Sequence, residues 1–384
     1  MKISENILYI GVDDKTIDLF ESQYIVPSGI SYNSYLILDD KIAIMDTVDK
    51  RKGEEWFEKL TTALAGKAPD YLIVQHMEPD HASSIAALVE KYPDVKLVLT
   101  AKALQMTEQF FDTDYSDRAI VVKEGDELEL GAHTLKFFMA PMIHWPEVMV
   151  TYEKSEKVLF SADGFGKFGA LDTDEDWACE ARRYYFNIVG KYGAQVQNLL
   201  KKASSLEIEK ICPLHGPVLS ENLGYYIEKY DIWSSYRPED EGVLIACASI
   251  HGNTMAAAVE LKKILEDKGA KKVVLADLAR DDMAEVIEDA FRYSKLVTMA
   301  PTYDAGIFPC MEDFLAHLKA KTYRSRRVAI VENGSWAPAA GKIMREAFES
   351  MKDIEICEKL VSIRSALNAQ TKQDLNELAD ELLK

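Results

Sequence analysis

The chain of 384 residues has little cysteine, little histidine and no surplus of positive charge. Its five cysteines, Cys179, Cys212, Cys247, Cys310 and Cys357, form no CxxC pair. An odd count cannot close as a set of internal disulfides, so they read as buried free thiols. Lys and Arg number 45 against 64 Asp and Glu, a formal charge of −19, which repels phosphate backbones and anionic lipid head groups. Nucleic acid and membrane surfaces are therefore excluded as first partners. No run approaches the roughly 18 apolar residues of a spanning helix, and the opening MKISENILYIGVDD lacks the basic stretch and apolar core of a secretory signal, so a cytoplasmic protein is expected. The loop between the apolar run 243–248 and the helical segment after it carries neither GxGxxG nor a Walker sequence, which counts against dinucleotides and nucleoside triphosphates there.

What is present suits a globular protein of two domains. Hydrophobic residues make up 48% and charged residues 28%, and the length fits two domains of roughly 100–200 residues each. The stretch DIWSSYRPEDEG (231–242) combines a proline, acids and a closing glycine between two periodic regions and reads as a linker. The expected domains are 1–241 and 242–384. The first carries 25 basic and 42 acidic residues and the second 20 and 22, so nearly all the acidity belongs to the first.

In the second region, short apolar runs at 243–248, 272–278, 295–302, 326–334 and 354–360 alternate with segments of helical spacing such as 255–269, 311–320 and 369–383. Five strands alternating with five helices predict a doubly wound parallel sheet, with a mononucleotide site at the strand C-termini. The first region predicts hairpins at 34–48 and 148–163, with βα units at 71–92 and 96–111, hence a mixed-sheet α/β sandwich.

Seven histidines occur in the whole chain, and two fall in one stretch of six residues, His76-Met77-Glu78-Pro79-Asp80-His81, after the strand YLIVQ. Four ligand-type side chains in so short a loop, stiffened by Pro79, suit a divalent or trivalent first-row metal. Three later stretches repeat the pattern of a strand, a ligand-type residue, then Gly or Pro: His144 in FFMAPMIHWPEV, Asp163 in VLFSADGFGKFG and His215 in KICPLHGPVL. Each alone is an ordinary polar turn; in this order together they are specific.

In the second region, Ser249-Ile250-His251-Gly252-Asn253-Thr254 lies between a strand and a helix, where backbone N–H groups and the helix N-terminus can cradle a phosphate. Two later strand ends, APTYDAGIFP (300–309) and ENGSWAP (332–338), add polar loops, each with an aromatic residue. Tyr303 and Trp336 can contact a flat ring while neighbouring backbone groups bond its edge.

The order H-x-[HE]-x-D-H, His, Asp, His resembles a metallo-β-lactamase-like domain over residues 1 to about 240, with Glu78 where the zinc hydrolases usually carry His. A carboxylate there adds hard anionic oxygen and favours iron over zinc. The second half resembles flavodoxin, with Asp304 standing where many relatives have Asn. The pairing of an N-terminal metallo-β-lactamase-like αββα sandwich with a C-terminal flavodoxin-like sheet resembles the flavodiiron proteins, or A-type flavoproteins, in their minimal two-domain class.

The resemblance implies two iron ions and FMN. His76, Glu78, His144 and Asp163 would hold one iron, and Asp80, His81, Asp163 and His215 the other, with Asp163 bridging. FMN contacts are implied at Ser249, His251, Gly252, Asn253, Thr254, Pro301, Thr302, Tyr303, Asp304, Ala305, Gly306, Asn333, Gly334, Ser335 and Trp336. Tyr192, in the helix after Asp163, is a candidate pocket residue. The implied reaction is reduction of O2 to water or of NO to N2O, with rubredoxin or a flavoreductase as electron donor and a head-to-tail homodimer, or a dimer of such dimers, as the assembly. Two other readings compete: a zinc hydrolase with a flavodoxin-like appendage, and an electron carrier whose metal site is structural.

Overall fold

The computed structural model describes residues 2–384. Backbone contacts divide them into two units, one of residues up to Tyr185 with Ala194–Asp231, the other of Phe186–Gly193 with Ile232–Lys384.

The first unit is the expected sandwich. One sheet runs, edge to edge, through Ile7–Tyr9, Tyr35–Ile37, Ala43–Met45, Tyr71–Ile73, Lys96–Leu99 and Ala119–Val121. The other runs through Glu127–Glu129, Thr134–Met139, Met149–Glu153, Val158–Phe160 and Lys210–Cys212. Both predicted hairpins form, with Tyr35 opposite Met45 and Thr151 opposite Phe160. Inward residues of both sheets share one core, among them Ile37, Met45, Ile73, Phe137, Met149 and Phe160. The helix Gly53–Leu64 buries Trp56, Leu60 and Leu64, spaced four apart on one stripe.

In the second unit five parallel strands lie in the order Val273–Asp277, Asp240–Cys247, Tyr293–Tyr303, Arg326–Asn333, Ile354–Ile363, so the second strand in sequence flanks the first. This is the flavodoxin order. Val243–Ala248 is buried throughout, as expected for a parallel strand covered on both faces. One of those faces is covered by the apolar side of Asn253–Asp267, through Ala257, Ala258, Leu261 and Leu265.

Two expectations change. The stretch 231–242 is not an open linker: a helix continues to Ser234, the strand starts at Asp240, and Trp233 and Tyr236 are buried. The Tyr236 hydroxyl donates to the Gly190 carbonyl at 2.8 Å, and the Trp233 indole donates to Glu239 at 2.6 Å. Aromatic burial outweighs the loop-like composition here. The HMEPDH stretch, in turn, is only half a loop, because Pro79–Ala82 forms a helical turn with proline at its first position. Among the described residues, no helix is long and apolar enough to cross a membrane.

Candidate metal centre and flavin cleft

Ligand-type side chains in the first unit gather at the ends of neighbouring strands. Beyond Tyr71–Ile73, the chain is held by Asp46, at the end of the adjacent strand. Asp46 accepts the backbone N–H of Gln75 at 2.7 Å and its side-chain amide at 2.9 Å. Thr47 donates its hydroxyl to the carbonyl of His81 at 2.5 Å. Burial pushes the Asp46 carboxyl up to about 6, against the opposing pull of these donors. Asp163 sits on a turn so tight that a Cβ on Gly164 would lie 2.9 Å from the Ser161 carbonyl. Asn33 grips the turn around His215, its amide donating to the carbonyls of Pro213 at 2.8 Å and Gly216 at 2.7 Å. Gly216 has φ +81°, and a Cβ there would meet Lys167 at 2.7 Å.

The result is two buried groups, His76 with Glu78, His144 and Asp163, and Asp80 with His81 and His215. Nε2 of His76 lies 3.2 Å from Glu78 and 3.2 Å from Asp163 Oδ2, and Nε2 of His144 lies 3.0 and 3.3 Å from the same carboxylates. In the other group, the His81 and His215 Nε2 atoms are each 3.2 Å from Asp80 Oδ2 and 3.6 and 3.8 Å from Asp163 Oδ1. Asp163 thus turns one oxygen toward each group. The side-chain oxygens of Asp80 and Asp163 are buried, yet none makes a hydrogen bond to the protein. Buried carboxylates without donors, converging with imidazole nitrogens, are what a pair of bound cations requires, and the residues fit two metal ions.

The electrostatics agree. Burial alone would raise Asp163, but the surrounding imidazoles, His76 foremost, hold it well below the usual carboxylate range. Burial would lower His144, but Asp163 and Glu78 raise it to about 9. Protons on these imidazoles compete with a cation, so affinity for metal must fall in acid. Glu21, at the tip of the hairpin of Leu19–Phe20 and Tyr24–Ile25, is pushed up to about 7 by desolvation and the neighbouring charge of Glu78. Aromatic rings close the surroundings: Phe20 and Tyr184 stand 5.4 and 5.5 Å from His215, and Trp145 stands 5.3 Å from His76.

Tyr192 groups with the second unit. After Tyr184 the helix widens into a π turn and residues 186–193 segregate with the second unit, where Phe186 stacks on Phe291 at 4.3 Å and the Asn187 amide donates to the Ala284 carbonyl at 3.1 Å. Tyr184 and Tyr32 stand beside the cluster, their rings 5.5 and 6.1 Å from that of His215. Sequence reasoning also passed over Asp46, Asn33 and Glu147. Glu147 lies three residues past His144, whereas Asp46 and Asn33 act from strand ends and turns distant in sequence.

In the second unit a cleft of about 520 Å³ opens where the expected loops meet. Ser249, His251, Asn253 and Thr254 line one part, Pro301, Thr302, Tyr303, Asp304 and Ala305 another, and Asn333, Gly334, Ser335 and Trp336 a third. Ile250, Ala337 and Ser365 join them unforeseen. Gly252 and Gly306 are not in the lining; they shape its turns. Gly252 takes φ +86° before the helix, and Gly306 pairs with Tyr303 across a two-residue turn in which Asp304 and Ala305 both have positive φ. Ser249 Oγ accepts the N–H groups of Gly252 at 3.1 Å and Met255 at 3.3 Å. Asn333 ties three loops together, donating to Thr254 Oγ1 and the Ser365 carbonyl and accepting from the Ser365 N–H, each at 3.2 Å. With Trp336 81% and Tyr303 44% exposed at its rim, the cleft fits a flat ring with a phosphate at the helix end.

Comparisons with known proteins agree with this geometry. The family model described as ODP family beta lactamase matches residues 30–216. A nitric oxide reductase of Moorella thermoacetica is 29% identical over 99% of this chain and 97% of its own. The solved rubredoxin oxygen:oxidoreductase of Desulfovibrio gigas superposes with a TM-score of 0.93 at 25% identity, covering 100% of this chain and 97% of that one. A flavo di-iron protein of Thermotoga maritima does so with a TM-score of 0.89 at 25% identity, covering 98% and 95%. Along almost its entire length this chain is similar in sequence to a nitric oxide reductase, and in fold to a rubredoxin oxygen:oxidoreductase and a flavo di-iron protein.

Proposed function

We propose that this chain reduces O2 to water, NO to N2O, or both, at a non-haem diiron site fed with electrons by FMN. The observation that carries the reading is the two-part cluster divided by Asp163 in a chain that also holds a flavin-sized cleft. His76, Glu78, His144 and Asp163 would hold one iron, and Asp80, His81, Asp163 and His215 the other. When bound, the iron pair supplies two adjoining redox-active centres and FMN supplies the electrons. The protein's own part is positioning: Asp46 and Asn33 fix the ligand turns, and Phe20, Tyr184 and Trp145 keep water from the imidazoles. Glu78 adds hard oxygen, which favours iron over zinc. In the cleft, the loop from Ser249 to Thr254 would take the phosphate, and Tyr303 and Trp336 would flank the ring.

Rubredoxin is the donor that relatives such as the rubredoxin oxygen:oxidoreductase point to, and a flavoreductase is the alternative donor in this proposal. We also propose a head-to-tail homodimer, or a dimer of such dimers. Trp336 and Tyr303 are exposed at the cleft, and Leu19 and Ile25 are exposed on the hairpin carrying Glu21, so such pairing would bury both patches and bring flavin to metal.

Anaerobic reduction of the iron- and FMN-loaded protein, followed by parallel O2 and NO consumption, tests the activity. Consumption of neither gas, with zinc bound and thioester or lactam hydrolysis present, would replace it with the hydrolase reading. Flavin redox cycling alone would leave an electron carrier. Sedimentation of a fully active monomer would overturn the dimer.

A further inference from the structure

Behind the first ligand group stands a carboxylate that is not one of its ligands. Glu147 is 2% exposed, and its Oε1 lies 2.8 Å from Nδ1 of His76 while accepting the backbone N–H of Met77 at 2.8 Å. Its Oε2 is buried and makes no hydrogen bond to the protein. The Met77 bond anchors the carboxylate to the ligand loop itself, so His76 keeps its proton on Nδ1 and turns Nε2 toward Glu78 and Asp163. The second group has no such backing. Nδ1 of His215 donates to the neutral carbonyl of Ser31 at 2.7 Å, and Nδ1 of His81 is buried without a hydrogen bond.

We propose that Glu147 is a positioning residue that makes the His76–Glu78–His144 half of the centre the tighter metal site and the first to fill, with the Asp80–His81–His215 half filling second. The inference rests on the metal reading above. A carboxylate accepting an imidazole N–H locks the tautomer and makes the other nitrogen more basic, and loss of such a partner lowers metal affinity by about 10–100-fold. A neutral carbonyl does this more weakly, and an unbonded nitrogen receives nothing.

The test is anaerobic titration of the full-length apoprotein with Co(II), followed by its visible absorption, in wild type and Glu147→Gln. The variant keeps an oxygen for the Met77 N–H and removes the charge. Wild type should bind two ions in separable steps. In the variant the tighter step should weaken by about 10–100-fold while the weaker step holds, so the two steps converge. Failure of wild type to bind two ions would overturn the metal reading itself. Two ions bound with both constants unchanged in the variant, or weakened equally, would overturn this inference alone. A second measurement stands if the variant does not fold. In Zn(II)-loaded wild type, proton NMR should show a low-field ring N–H with a cross-peak to the Met77 amide proton, since both protons point at one Glu147 oxygen. Absence of that resonance would overturn the proposal.

Discussion

Asp163 Oδ2 lies 3.2 Å from Nε2 of His76, and both side chains are shut off from solvent. The other oxygen of the same carboxylate faces His81 and His215. One residue therefore serves both halves of the cluster, and its removal should strip both.

Asp163→Ala is expected to reduce metal content from about two ions per chain to well below one, because the shared anion is lost and four imidazoles remain crowded together. FMN binding should be unchanged, since the cleft is built from other loops. Elemental analysis beside flavin absorbance checks both; a variant retaining full metal content would refute the bridging role.

Asn333→Ala should loosen the cleft. Its amide makes three hydrogen bonds linking the loops at 254, 333 and 365, each contributing about 0.5–1.5 kcal/mol. FMN affinity is expected to fall at least about tenfold, equivalent to about 1.4 kcal/mol, with metal content unaffected. Quenching of flavin fluorescence on titration measures it, and a change below twofold would refute it.

Stability of the first unit should depend on pH through Asp39 and His133, 2.7 Å apart at the turns Asp39-Asp40 and His133. Burial would raise Asp39, but hydrogen bonds from the His133 ring and backbone lower it to about 2. His133 is raised against burial by Asp39 and Glu156. A depressed carboxyl stabilises above its unfolded value near 4 and loses that contribution as pH falls toward 2. A raised imidazole stabilises below its unfolded value near 6.5 and loses that contribution as pH rises through its folded value. The pair is therefore strongest between about pH 4 and 6.5. His133→Gln should cost about 1–3 kcal/mol there and less at pH 9, read from denaturant midpoints.

Arg326 is buried in the second unit, donating to the carbonyls of Tyr236 at 2.7 Å and Tyr293 at 2.8 Å, and also to that of Phe291. Arg326→Leu leaves these carbonyls without their donor and should destabilise the unit by about 2–5 kcal/mol. FMN should then be released at lower denaturant concentration, while the metal of the first unit is retained. An unshifted release midpoint would contradict this.

How much could be read beforehand follows from what each feature depends on. The parallel strands of the second unit stood out because a strand covered on both faces must be apolar throughout, as Val243–Cys247 is. The hairpin at Asp39-Asp40 was legible from alternation and turn residues lying next to each other in the chain. Nothing local signals that the helix from Trp177 widens into a π turn before Tyr192, or that residues 186–193 group with the second unit. The chain does pass between the units within 231–242, but the ordered form of that stretch was not legible, since Trp233 and Tyr236 find burial only through packing against distant segments.

The sequence by itself determined the inventory and its order: His76 to His81, His144, Asp163 and His215 at strand ends, and three polar loops at the ends of parallel strands. Those are properties of spacing along one chain. Only the tertiary structure decided which nitrogen faces which oxygen, that Asp163 stands between two groups, and that Glu147, Asp46 and Asn33 hold the ligand turns. Such relations depend on strand register and on contacts between segments distant in sequence, such as the 184 residues from Ser31 to His215. Hydrogen bonds act over about 3 Å, a scale that spacing along the chain does not resolve.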